Sequence, residues 1–274
     1  MRCHGLVDSP GNVGVNGHAC WGYDDLAGDF RDAAVAFLTE GLELGQALMF
    51  VGGPAAEEVV RSIEPMSSMV ADGSLTITPF EGVYPGGQRM SNADQWAAYA
   101  GATEQAQQAG AKGLRVLAEV TSLASPDGAW PGQARWESYA DRRMADSTLA
   151  ALCCFDRSAV PREGLAAIAS AHPVVDRRLD ELVPFRLFGR PDAIAIAGEV
   201  DAFSSNTLRH LLRASDGLPV DKVLDLGELT FIEHTGVHAL HEYAEEVRAQ
   251  GLGVTVRGGP PTLHRLADLL GVSL

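Results

Sequence analysis

Side chains able to bind or react gather in two places along this 274-residue chain. The first set follows apolar runs that read as strands. It comprises Gly52-Gly53, then Glu81 and Tyr84, then Glu119, then Asp156, with His18 and Tyr23 just ahead of the first helix. Ligands of parallel α/β sheets bind beyond the carboxyl ends of the strands, so these positions would line a pocket. Arg115 and Glu119 share one strand and, at a period of two, one face; about 13 Å separates them, too far for direct contact. Charges on a strand covered on both faces need partners, either structural ion pairs or a bound ligand. The second set is Glu233-His234-Thr235-Gly236, which opens a helix after the apolar pair Phe231-Ile232. A helix N-terminus carries unpaired N–H groups and a partial positive charge. The Thr235 hydroxyl is therefore placed to cap the helix or to accept a phosphate.

Other constellations are weaker. His234, His238, His241 and Glu245 fall on one helical stripe, which could hold zinc or titrate near neutrality. A solvated or partner-facing stripe is the favoured reading. Cys3-His4 with His18-x-Cys20 would be a second, poorer zinc set. Cys153 and Cys154 lie in a buried strand, where cysteine acts as a small hydrophobe, and only one of the two can face a given side. The glycines after the first strand lack the Gly-Lys-Ser/Thr that holds phosphate and magnesium, and no Gly-x-Ser-x-Gly elbow is present. ATP hydrolysis is not expected, and the sequence asks for no catalytic residue, metal or cofactor.

The elements that position these residues alternate. Gln46 to Val51, Ser74 to Phe80, Gly113 to Val120 and Leu149 to Phe155 read as strands. Amphipathic helices are expected at about Leu26 to Leu44, Ala55 to Ser62, Ala93 to Ala109, Trp136 to Thr148 and Glu163 to Ala171. That order means βα units and a mostly parallel sheet. A boundary falls near Asp180 to Pro184, where charge rises and a proline intervenes. Beyond it come strands at Arg186 to Phe188, Ala193 to Ala197, Val223 to Leu226 and Gly253 to Val256. Helices follow at Ser204 to Ala214, after Glu233, and at Pro261 to Leu270. Gly227-Glu228-Leu229-Thr230 reads as a polar turn, and residues 1–17, rich in Gly, Asn, Ser and Pro, read as a loose arm.

Composition narrows the function. A formal net charge of −15 disfavours non-specific nucleic-acid binding. No stretch approaches the roughly 20 apolar residues of a membrane span, and the first residues lack a signal-peptide run. Four cysteines, two of them adjacent, do not make a disulfide framework. A cytoplasmic location without membrane or nucleic-acid partners is the expectation.

Two resemblances extend this reading. Asp225-Leu226 followed by Phe231-Ile232-Glu233-His234-Thr235-Gly236-Val237 resembles the STAS domain of bacterial anti-anti-sigma factors and sulfate-transporter tails. His234 stands where phosphorylated members carry the acceptor hydroxyl, and Thr235 is the neighbouring hydroxyl. The string His18-x-Cys20-x-x-Tyr23, the phrase FLTEGLELGQALMFVG, the loop from Gly82 to Gly87, GLRVLAEV, Trp136-Glu137 and the CCFDR end at Cys153 to Arg157 together resemble the MEDS sensory domain. That family implies a degenerate RecA-like core sensing small hydrocarbon-derived compounds, fused to a regulatory output domain. On that resemblance His18, Tyr23, Glu81, Tyr84, Arg115, Glu119 and Asp156 become candidate ligand contacts, and Glu233, His234, Thr235 and Gly236 the partner-facing regulatory residues. The expected layout is an arm at 1–17, a RecA-like, mostly parallel α/β sensory domain at 18–180, and a small STAS-like α/β domain at 183–274. The expected function is a signalling regulator that senses a small-molecule ligand and engages an anti-sigma factor or serine-kinase-type protein, with Thr235 as a phospho-switch. The alternatives are a small-molecule enzyme using Glu81, Glu119 and Asp156, and a STAS scaffold without phosphorylation.

Overall fold

The computed structural model describes residues 2–84, 90–125, 129–215 and 220–274. The first unit is built on a seven-stranded, wholly parallel sheet in the order β1-β7-β2-β6-β5-β3-β4. Its strands are β1 (Gly5–Val7), β2 (His18–Tyr23), β3 (Ala47–Gly52), β4 (Leu75–Pro79), β5 (Leu114–Glu119), β6 (Leu149–Asp156) and β7 (Val174–Asp176). Helices α1 (Arg31–Leu44), α2 (Pro54–Ser62), α3 (Met66–Asp72), α4 (Phe80–Val83), α5 (Asn92–Gln108), α6 (Trp130–Met144) and α7 (Arg162–Ser170) connect them. The side chains alternate as the two-residue period requires. His18, Val116, Ala118 and Cys153 face the cavity bounded by α5 and α6. Leu117 and Cys154 join the opposite core with residues of α1, α2 and α3.

The second unit is a four-stranded sheet, β11-β10-β9-β8, with β8 (Phe185–Arg190) antiparallel to β9 (Ala193–Val200) and β10 (Lys222–Ile232) parallel to both β9 and β11 (Val254–Arg257). Helices α8 (Ser205–Ser215), α9 (His234–Ala249) and α10 (Pro261–Leu270) complete it. Both units are mixed α/β, as expected.

Three expectations are corrected. Of the expected loose arm at 1–17, the described residues 2–17 are ordered against the sheet: β1 is its edge strand, with the Gly5 N–H donating to the Pro173 carbonyl (2.8 Å) and Val13 buried. A three-residue strand in a Gly-rich segment has no apolar period to betray it, because its stability comes from backbone pairing with β7. Nor was β2 expected as a strand. It is buried on both faces, so it shows no alternation. Finally, Gly227 to Thr230 lies inside β10 rather than forming a turn. Register shifts at Asp225/Glu228 and Leu229/Phe231 absorb the polar stretch as bulges.

The units share one continuous core, and α6 is the element between them. On one side Ser138 Oγ donates to the Leu211 carbonyl of α8 (2.9 Å), and Arg142 donates to the Arg190 carbonyl of β8 (3.1 Å). Gly189 is needed here, since a Cβ would lie 2.8 Å from the Arg142 Cα.

Candidate functional site

The other side of α6 carries Gln133, Glu137 and Asp141, spaced four apart and therefore stacked on one stripe. All three are buried. The start of β2 brings His18 to this stripe, the middle of β6 brings Cys153, and the chain leaving α7 brings His172. His18 Nε2 lies 3.2 Å from Glu137 Oε2, and His172 Nε2 lies 3.7 Å from the same oxygen. Cys153 Sγ is 3.6 Å from both His18 Nε2 and Glu137 Oε2. The four donor atoms all lie within 4.8 Å of one another.

The outer atoms of this quartet are held. His18 Nδ1 bonds Asp141 Oδ1 (3.0 Å), and His172 Nδ1 bonds the Ile168 carbonyl (2.8 Å). With Nδ1 donating in each ring, Nε2 points inward. Gln133 Nε2 donates to Glu137 Oε1, leaving Oε2 for the cluster. Asp141 is fixed in turn by Arg2 (2.6 Å) and by the Gly189 N–H of β8 to Oδ2 (2.6 Å). His172 Nε2 has no hydrogen-bond partner.

The electrostatics follow from burying carboxylates beside imidazoles. Burial opposes charge on His18, but hydrogen bonds to Asp141 and Glu137 outweigh it and raise the imidazole's pKa. Burial likewise opposes ionisation of Glu137, yet the His18 and His172 rings hold its pKa below the ordinary value. Asp141 is at about 2, burial being overcome by Arg2 and His18. Burial and the neighbouring His18 push His172 down to about 4. Burial and Glu137 push the Cys153 thiol up.

Beside the quartet lies a cavity of about 30 Å³, lined by His18, Glu137 and Cys153 together with Tyr84, Trp96, Tyr99 and Trp136. Its wall is mainly apolar and aromatic, and its volume matches roughly one water molecule. The Tyr84 hydroxyl accepts from Gln95 Nε2 at 2.7 Å.

The candidates read from the sequence separate into distinct places. His18 and Tyr84 line this cavity. Tyr23, Glu119 and Asp156 lie at strand ends on the opposite face of the sheet. There Tyr23 donates to Glu119 Oε1 (2.9 Å), and Thr121 links Glu119 to the Asp156 backbone. Arg115 sits at the other end of β5, fully buried. It donates to Glu40 (2.8 Å), Gln46 (2.8 Å) and the Phe37 and Gly14 carbonyls. Glu81 lies on α4, beyond β4 and two strands from β5. Residues 85–87 of the glycine loop lie outside the described residues.

In the second unit Glu233 occupies the N-cap of α9 without a side-chain cap bond, and His234 is exposed. Thr235 does not cap the helix: its hydroxyl is buried and unpartnered. Gly236 allows close packing, since a Cβ there would lie 2.7 Å from Ile232 Cγ1. Phe231, Ile232, Glu233 and His234 line a shallow recess with Thr262, Arg265 and Leu266, and Phe203 nearby in sequence to α8 is 94% exposed. His241 bonds the Ser273 carbonyl (2.9 Å). Among the described residues, only the buried quartet gathers three or more metal-ligating side chains. His4 instead stacks on Phe188. No helix among the described residues is long and apolar enough to cross a membrane.

The MEDS model, described as the methanogen/methylotroph, DcmR sensory domain, matches residues 17–173, more than half of the chain. The chain belongs to the MEDS family. A STAS model, described as Mlab, STAS domain, matches residues 185–273, so a STAS domain follows the MEDS domain. No curated protein matches the chain.

Within the MEDS domain, the sequence reading missed Gln133, Asp141 and His172 as site residues and treated Cys153 as core filler. The available signal was the four-residue spacing of Gln133, Glu137 and Asp141. A polar stripe with that spacing is also what a solvent-facing helix surface looks like.

Proposed function

We propose that this MEDS–STAS protein is a cytoplasmic signalling regulator whose MEDS domain senses a small apolar ligand and whose STAS domain passes that state to a protein partner. The observation that carries this reading is the position of α6. One side lines the aromatic cavity and holds Glu137 and Asp141, while Ser138, Arg142 and Asp141 also bond α8 and β8 of the STAS domain. A ligand that enlarges the cavity presses on α6, one of its walls, and a shift of α6 moves those bonds, because packed interiors transmit strain.

His18 and Tyr84 are the ligand contacts favoured by this geometry, with Trp96, Tyr99 and Trp136 added. Tyr23, Glu119 and Asp156 would form a separate polar group at the strand ends, with Glu81 beyond β4, and Arg115 would serve the fold. The partner is an anti-sigma factor or serine-kinase-type protein, docking around Phe231 to Thr235, where a recess and the exposed Phe231 side chain coincide. Phosphorylation of Thr235 would require the start of α9 to open, since the hydroxyl is buried.

The test is a thermal-shift screen of small apolar compounds on the full chain, repeated on Ala118→Val, which adds two methyl groups at the cavity wall. Compounds that stabilise the wild type and not the variant, and that change capture of the partner, support the reading. A panel without a stabilising compound, or equal shifts in both proteins, contradicts it.

A further inference from the structure

The buried quartet has the form of a metal centre. Tetrahedral zinc with nitrogen and oxygen ligands at about 2.0–2.1 Å and sulfur at about 2.3 Å places ligand atoms about 3.3–3.7 Å apart. The observed separations between Glu137 Oε2 and His18 Nε2, His172 Nε2 and Cys153 Sγ are 3.2, 3.7 and 3.6 Å, and that between Cys153 Sγ and His18 Nε2 is 3.6 Å. We propose that His18, Glu137, Cys153 and His172 bind one zinc-class divalent cation.

Three further observations point the same way. Both imidazoles use Nδ1 on an outer acceptor, Asp141 or the Ile168 carbonyl, so both Nε2 atoms face the common centre. Metal-ligating histidines are oriented by such outer bonds. Glu137 is arranged alike, with Oε1 taken by Gln133 and Oε2 left inward. His172 Nε2, wholly buried, points into the cluster without a hydrogen-bond partner, and unpaired buried polar atoms are costly. Charge also balances. A divalent cation with one carboxylate, one thiolate and two neutral imidazoles is a neutral centre, the form a buried site favours. Binding would release the Cys153 proton to solvent.

The ion would tie β2, β6, α6 and the end of α7 to one point beside the cavity. This goes beyond the sensing reading and does not depend on it, because metal content is measured with no organic ligand added. The test uses the full chain, purified with reducing agent, depleted with chelator and reloaded with zinc or cobalt. Elemental analysis should find about one equivalent of zinc per chain. The cobalt form should show tetrahedral visible bands with thiolate charge transfer. Cys153→Ser and His172→Ala should lose at least tenfold in affinity, whereas Cys154→Ser, on the opposite face of β6, should load like the wild type. Circular dichroism verifies folding, and the cobalt spectrum of the wild type needs no variant at all. A folded wild type that takes up neither ion, or variants that load equally, overturns the proposal and leaves a purely hydrogen-bonded cluster.

Discussion

The MEDS sheet carries buried charge on both faces, and the two faces treat it in opposite ways. On the α1 side Arg115 finds an acceptor for each end of its guanidinium: Gln46, Glu40 and the carbonyls of Phe37 and Gly14, with its Cζ 4.4 Å from the centroid of the Phe37 ring. On the α6 side Nε2 of His18 and of His172, Oε2 of Glu137 and Sγ of Cys153 converge on one centre, and His172 Nε2 has no hydrogen-bond partner. A saturated network fixes a fold, because each removal leaves a buried group unpaired. A convergent set of ligating atoms, one of them unpaired, asks for something more. Burial of charge alone therefore does not separate the two faces; convergence of ligating atoms with one left unpaired does.

The largest expected effect lies on the saturated face. Arg115→Leu leaves the Glu40 carboxylate without its cation and should cost about 3–5 kcal/mol in urea unfolding, with zinc uptake by the surviving folded fraction unchanged. On the convergent face, Cys153→Ser should matter only when metal is supplied. Zinc at about 100 times its dissociation constant should stabilise the wild type by about 2.7 kcal/mol and the variant hardly at all. Equal zinc stabilisation of both would erase the distinction between the faces.

Asp141→Asn keeps the shape of the outer contact to His18 but removes its charge. Zinc affinity should fall by about 10–100-fold, more than for a comparable change at the far end of β5. Ser138→Ala, which removes one bond from α6 to α8, should cost about 1 kcal/mol and weaken the response of the STAS domain to events in the cavity. Smallest of all is Thr235→Val, which replaces an unpartnered buried hydroxyl by a methyl of similar shape. It should be neutral or stabilising by up to about 1 kcal/mol, and a clear destabilisation would reveal a hydrogen bond that the fold needs.

Four of the seven strands were legible, because β3, β5 and β6 are apolar runs and β4 alternates between helical periods. β1 and β7 escaped because three residues carry no period, and β2 because burial on both faces removes the alternation. The site was legible in part. His18 and Tyr84 line the cavity, whereas Arg115 was grouped with them only because a strand position does not say which end of the strand a pocket occupies. Asp141 was hidden for a different reason, and Glu137 stood in a matching segment without being singled out as a contact. A polar stripe on a helix is identical in sequence whether it faces water or a buried histidine, and only the packing of β2 and α7 against α6 decides. His172, next to a proline at the end of α7, has no pattern of its own.

Through α6 the convergent cluster is bonded to the STAS domain. Hydrogen exchange on the full chain, zinc-loaded against zinc-depleted, reads whether a change at the cluster reaches that domain. Zinc should slow exchange in α6 and, beyond the cluster, in β8 around Gly189 and in α8 around Leu211. Protection confined to the MEDS domain, with β8 and α8 exchanging at the same rate in both states, would contradict it.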